Sequence, residues 1–165
     1  MKHVMPLAAA AFAAMTFNSA HAGGLYGEIG YSDLDLKVAG SRTSSERMVR
    51  NTIGYELHPQ LAVEGMLGQG IGGGAPKVNQ MLGVFVKPKI LGLGNDFELT
   101  GRLGYASTKV TKSDGSSDRA GSFAYGIAAS YRINQTVTLT LDEMRYRKKD
   151  GVTVRGLTAG VGINF

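Results

Sequence analysis

Hydrophobic and polar residues alternate along most of the chain, and clusters of turn-forming residues interrupt this alternation. A period of two is typical of β-strands, because successive side chains of a strand point to opposite faces. After the first 22 residues, no convincing period of 3.6 indicates an amphipathic helix. The pattern therefore predicts an all-β chain of eight strands. These span residues 25–37, 47–58, 61–69, 78–87, 97–107, 121–133, 136–147 and 154–165.

The connections between these segments alternate in character. The second, fourth and sixth contain HPQ, PKILGLGND and NQ, whereas the others are polar, basic and rich in Gly and Ser. Short turns at one end and longer loops at the other are the layout of an up-and-down membrane barrel, although PKILGLGND is longer than that layout requires. The pattern predicts an eight-stranded antiparallel up-and-down transmembrane β-barrel.

The polar face of the predicted strands combines many glycines with a few long charged side chains. A water-facing strand has no need of so much glycine, whereas the narrow interior of an eight-stranded barrel does. We therefore expect this face to point inward. Its charged residues are Glu28, Arg50, Glu56, Glu64, Lys87, Glu98, Arg102, Arg132 and Asp142.

These inward charges allow two interpretations. They could pair across the interior and plug it, since an unpaired buried charge costs several kcal/mol. In that case Arg102 and Arg132 each bridge to Glu28, Glu98 or Glu64. The alternative is that the charges line a narrow pore.

The apolar face carries aromatic residues near the ends of the strands. Phe97 and Tyr105 are eight residues apart, as are Phe123 and Tyr131. Eight residues of a tilted strand climb roughly 20 Å, which is close to the height of the apolar band between the aromatic girdles of a membrane barrel. The predicted girdle consists of Tyr31, Tyr55, Phe97, Tyr105, Phe123 and Tyr131. A soluble β-sandwich with cross-strand aromatic pairs is the alternative.

Tyr146 does not fit this alternation. It falls on the polar face of its segment unless a bulge lies near residues 142–143.

The first 22 residues, MKHVMPLAAAAFAAMTFNSAHA, contain one lysine, an apolar run and a small-x-small site at 20–22. These features predict a secretory signal peptide over residues 1–22 and a barrel domain over 23–165, with a retained N-terminal anchor as the alternative. Removing Lys2 leaves a net charge of +4, a surplus too weak to indicate nucleic-acid binding. The chain has no cysteine, so no disulfide supports the exported domain.

The stretches LYGEIGYS, TIGYELHPQLAVEG and RGLTAGVGINF carry a resemblance to the small eight-stranded outer-membrane proteins. These are the OmpA membrane domain, the OmpX/Ail group and the neisserial surface protein A group. The resemblance implies a monomer in the outer membrane of a Gram-negative bacterium, in contact with membrane lipid and lipopolysaccharide. The closing alternation of Val161, Ile163 and Phe165 resembles the signal that the barrel-insertion machinery reads.

An enzymatic role is not expected. Acyl-transfer chemistry of the kind found in some outer-membrane barrels needs a general base beside a hydroxyl nucleophile. His3 and His21 belong to the predicted signal peptide, and His58 falls in a predicted turn. One remaining histidine without cysteine also argues against a zinc site. We predict no catalysis, no metal and no cofactor.

The basic loops are the predicted functional surface. Four residues near the end of the seventh segment would leave the membrane together: Arg145, Arg147, Lys148 and Lys149. Such side chains could hold lipopolysaccharide phosphates by charge-assisted hydrogen bonds. The alternatives are loops that are charged only for solubility, and an adhesin that binds host or environmental glycans or proteins.

Overall fold

The computed structural model describes residues 24–39, 44–72, 77–94, 96–111, 114–149 and 151–165. The predicted signal peptide and its cleavage site lie outside these residues. The strands are β1 (Leu25–Val38), β2 (Ser44–His58), β3 (Leu61–Gly70), β4 (Lys77–Leu93), β5 (Phe97–Thr111), β6 (Ser117–Arg132), β7 (Val137–Lys149) and β8 (Val152–Asn164). Within the described part of the chain, no helix is long and apolar enough to cross a membrane.

Each strand pairs antiparallel with the next, and β8 pairs with β1, so the sheet closes into a barrel. The closing register runs from Tyr26 opposite Asn164 to Val38 opposite Val152. Beyond it, the backbone N–H of Phe165 donates to the carbonyl of Leu25 at 2.9 Å. The predicted eight-stranded antiparallel barrel is confirmed.

The connections lie at two ends of the barrel. We call the end with connections 39–43, 71–76, 112–116 and 150–151 the loop end, and the end with connections 59–60, 94–96 and 133–136 the turn end. Several strands extend beyond their predicted bounds towards the loop end, and as a result only two residues separate β7 from β8. Gly151 of this connection has a φ of 72°, which favours glycine.

The prediction that PKILGLGND forms a long connection is wrong. β4 continues to Leu93 and β5 begins at Phe97, so only three residues connect the two strands, and Gly94 has a φ of 68°. Pro88 cannot donate to a strand ladder, and the pairing with β5 becomes irregular between Lys89 and Leu91 directly after it. The strand persists because its apolar side chains, such as Ile90, stay on the outside of the barrel.

A register shift in β7 changes which side chains point inward. The pairing with β8 is irregular between Arg145 and Arg147, three residues beyond the predicted position. Because a bulge adds one residue to a strand, the neighbouring residues Tyr146 and Arg147 both lie inside, each 0% exposed. Arg147 therefore cannot contact lipopolysaccharide from the outer surface, and that prediction is wrong.

The interior contains two layers. Charged side chains occupy its centre, whereas an apolar layer fills the part nearer the loop end. The alternation of polar and apolar residues does not predict this second layer, although its β1 members share the inward face of Glu28 and Ser32. The apolar layer includes Leu34, Leu36, Met48, Val78, Met81, Val110, Met144, Tyr146, Val152 and Val154.

The outer face of the barrel is apolar over most of its height. Ile29, Ile53, Val84, Ile127 and Leu157 come from five different strands and are 49–66% exposed. A continuous exposed apolar surface of this kind marks a protein or membrane contact.

Candidate functional site

Two buried arginines meet three carboxylates at the centre of the barrel. Arg50 of β2 donates from Nη2 to Glu28 Oε1 at 2.6 Å and also binds both carboxylate oxygens of Asp142. Its Nη1 further donates to the hydroxyl groups of Tyr146 at 3.1 Å and Thr158 at 3.3 Å. A single side chain of β2 thus contacts β1, β7 and β8.

Arg102 of β5 reaches the same carboxylates from the other side. Its Nε lies 2.7 Å from Glu64 Oε2, and its Nη1 donates to Asp142 Oδ2 at 2.5 Å. Its Nη2 lies 3.5 Å from Glu28 Oε2. Glu28 and Asp142 are therefore shared by the two guanidinium groups.

Glu64 is the third carboxylate and is 4% exposed. It accepts a hydrogen bond from Tyr26 at 2.6 Å and lies 3.3 Å from Lys87 Nζ. The Lys87 ammonium also stacks over the Tyr26 ring, 4.8 Å from its centroid. We call the resulting set of three acids and three bases the central charge network: Glu28, Arg50, Glu64, Lys87, Arg102 and Asp142.

Three predicted inward residues lie at the turn end instead of the centre. Arg132 Nη2 is 3.6 Å from Glu98 Oε1, and both are partly exposed. Glu98 also pairs with Lys89, which the sequence analysis placed in a connection and therefore missed. Glu56 is exposed and lines a cavity of about 50 Å³ together with Glu98 and Arg132.

The basic residues near the loop end differ in orientation. Arg145 is half-buried on the outer face, where it donates to the hydroxyl of Tyr125 and lies 5.3 Å from that ring. Lys148 is exposed, and the side chain of Lys149 lies outside the described residues. Arg147 points inward and pairs with Asp118 at 2.8 Å.

Arg155 is a further basic residue near the loop end that was not predicted. It is exposed on the outer face, directly opposite Arg145 in the β7–β8 register. The outward face of the predicted eighth strand could have revealed it, but its partner across the strand pair depends on the register.

The predicted girdle residues lie on the outer face. Tyr31, Tyr55, Tyr105, Phe123 and Tyr131 are 45–60% exposed. Phe97 is partly buried and pairs in register with Tyr131 and Leu93.

The closing residues of β8 also face outward. Val161, Ile163 and Phe165 are 45–46% exposed.

Residues 5–165 match the sequence model of the outer membrane protein beta-barrel domain family. Among solved structures, Ail, the attachment invasion locus protein of Yersinia pestis, is 21% identical, with a TM-score of 0.63, over 88% of this chain and 100% of that one. Neisserial surface protein A is 18% identical, with a TM-score of 0.65, over 86% and 97% of the two chains.

OprG from Pseudomonas aeruginosa is 14% identical, with a TM-score of 0.59, over 88% of this chain and 97% of that one. Another Ail structure is a complex with the heparin analogue sucrose octasulfate. A search of curated protein sequences found no match. The structural likenesses show a shared barrel fold.

Replacing Arg102 with Met should destabilise the barrel by about 3–5 kcal/mol, because Glu64 and Glu28 would remain buried without one of their cations. Adding Glu64→Gln should recover part of this loss. The measurement is urea unfolding in detergent micelles, followed by circular dichroism. Lys89→Met is the matched control. Its pair with Glu98 is about 30% exposed on each side, and its loss should cost less than about 1 kcal/mol. Equal losses for Arg102→Met and Lys89→Met would contradict the expectation.

Proposed function

Because the chain belongs to the outer membrane protein beta-barrel domain family, we propose that it is a non-enzymatic integral outer-membrane protein with a closed interior. Its role is structural or surface-interactive, and it acts as a monomer. The apolar outer face contacts membrane lipid, and the loop end faces the cell exterior.

This proposal rests on the side chains that fill the interior of the barrel. Arg50 and Arg102 cross the centre, and each is 2% exposed and bound to carboxylates of other strands. The apolar layer follows towards the loop end, so an ion would meet neutralised charges and then side chains that cannot replace its water. A narrow pore is the less favoured interpretation.

The second part of the proposal concerns lipopolysaccharide. Arg145 and Lys148 lie on the outer face near the loop end, above the apolar belt, where phosphate groups of the outer leaflet would lie. Arginine and lysine bind phosphate by charge-assisted hydrogen bonds, and Lys149 follows directly in the chain. The complex of Ail with a heparin analogue supports a related candidate, in which the same cations bind sulfated glycans as an adhesin would.

The third part concerns assembly. Phe165 follows β8, and its side chain is 46% exposed on the outer face, beyond Val161 and Ile163. An aromatic that contributes little to the core can serve as a recognition element for the barrel-insertion machinery.

The closed interior predicts that the purified protein, reconstituted in planar bilayers, produces no stable conductance steps. A wide porin treated in the same way provides the positive control. Reproducible steps of one size from the folded, heat-modifiable protein would contradict the closed interior and favour the pore.

The lipopolysaccharide contact predicts binding of diphosphoryl lipid A to the detergent-purified barrel. Binding should weaken between about 0.1 M and 1 M salt, because the screening length falls from about 10 Å to about 3 Å. Lys148→Gln should also weaken it, whereas Lys89→Gln, at the turn end, should not. Salt-independent binding, or no binding, would refute an electrostatic contact. Binding of heparin in place of lipid A would favour the adhesin.

The assembly role predicts that Phe165→Ala lowers the folded fraction in outer membranes of intact cells. This substitution keeps the backbone N–H that donates to Leu25, so refolding of the purified chain into micelles should be little changed. Phe165→Tyr is the control that keeps an aromatic. Equal defects in cells and in micelles would assign Phe165 to stability instead of recognition.

A further inference from the structure

One row of directly paired outward residues crosses the barrel wall from the loop end towards the turn end. It begins at Arg155, three residues after the start of β8, and finishes at Tyr55, three residues before the end of β2. We call it the diagonal row: Arg155, Arg145, Tyr125, Leu103, Val86, Val63 and Tyr55. Its upper members are cationic and its lower members are apolar or aromatic.

The two arginines at the top of the row have no carboxylate partner among the described residues. Arg145 and Arg155 face each other across β7 and β8, and neither forms an ion pair with a described residue. Like charges opposite each other destabilise a strand pair, so an anion held between them would relieve the repulsion. Arg145 is also held in place by its hydrogen bond to Tyr125. The structure thus fixes one of the two cations before any ligand arrives.

Acidic residues surround this pair and limit its positive charge. Glu143 lines the same cavity of about 240 Å³ as the two arginines, one step further from the loop end. Asp35 lies opposite Arg155 on β1. The two arginines and these two acids together carry no net charge, so removal of one acid should strengthen anion binding.

Below the arginines, the row enters an apolar groove of about 940 Å³. Val63, Val84, Val86 and Leu103 line it, and Gly65 leaves it open at the middle. Leu103 also lines the cavity that contains Arg145 and Arg155. The cationic cavity and the apolar groove therefore adjoin at Leu103.

We propose that the diagonal row binds one phosphorylated, acylated lipid of the lipid A class. Its phosphate lies between Arg145 and Arg155, and one acyl chain lies in the groove from Leu103 to Val63. This inference rests on the proposed lipopolysaccharide contact and names its site. It adds Arg155 and the groove, and it makes the contact specific for an acylated ligand.

The dimensions agree with this occupant. Arg145 and Val63 are separated by four interstrand spacings, roughly 19 Å at about 4.8 Å each. With strands tilted by about 40°, the row descends roughly 12 Å, which is half of an apolar band about 25 Å tall. A chain that starts at the outer headgroups would thus end near the middle of the bilayer.

Native mass spectrometry of the detergent-purified full barrel with added diphosphoryl lipid A tests this assignment. Arg155→Gln should weaken binding roughly tenfold, as expected for losing a hydrogen bond to a charged group. Glu143→Gln should strengthen binding, because it removes a negative charge from the phosphate cavity.

Gly65→Leu tests the groove. A Cβ at this position meets only Ile53, at 3.7 Å, so the side chain can be added and would fill the groove from within. We expect severalfold weaker binding of lipid A. Ala159→Leu is the matched control, since Ala159 also faces outward but pairs with Tyr31 and Leu141, away from the row. A boiling-dependent mobility shift confirms that each variant is folded.

The outcomes separate this inference from the broader proposal. Weaker binding for Arg155→Gln and Gly65→Leu but not for Ala159→Leu supports the site. Lipid A binding that all these variants retain would overturn the site but leave the lipopolysaccharide contact intact. No binding by the unaltered protein would overturn both. A dimer that Gly65→Leu dissociates while lipid A binding is unchanged would assign the groove to a second copy of the chain.

Discussion

The pairing of β8 with β1 is the constraint on which the rest of the structure depends. In lipid, an open strand edge would leave a row of N–H and C=O groups without partners, at several kcal/mol each. Closure with eight strands then sets the width of the interior, which side chains just fill. Gly54 shows how little room remains, because a Cβ there would lie 2.2 Å from the Tyr26 ring. Glycine on the inward face is thus a steric requirement of closure.

The central charge network follows from the same narrow interior. Glu28 and Asp142 each pair with both Arg50 and Arg102, and Glu64 pairs with both Arg102 and Lys87. In a buried ion pair, the cost of desolvation offsets much of the Coulombic attraction. The network is therefore better described by the penalty for losing any one member than by a sum of favourable contacts. The six members lie on β1, β2, β3, β4, β5 and β7, so the network connects six of the eight strands of the barrel wall.

Alternation in the sequence was sufficient to predict the strands, their order and the inward face that carries Glu28, Arg50 and Arg102. It could not predict the height at which inward residues meet, because alternation reports only the face. It therefore predicted Glu98 and Arg132 as inward residues together with Arg102, but could not show that they lie at the turn end. The pattern within one strand also does not show which residues of the neighbouring strand lie opposite, so the pairing of Arg145 with Arg155 could not be predicted. Their opposition becomes visible only when β7 and β8 are aligned.

The bulge in β7 decides which cation of this segment lies on the outer face. Side-chain direction in a strand has a period of two, so a β7 that kept all its residues but paired regularly with β8 would reverse every side chain beyond Tyr146. Arg147 would then turn outward and Lys148 inward, without any change in residue type. Deleting the unpaired Tyr146 would instead remove the bulge and keep Arg147 opposite Val154, on the inside. The extra residue thus selects a primary ammonium over a guanidinium on the outer face near the loop end.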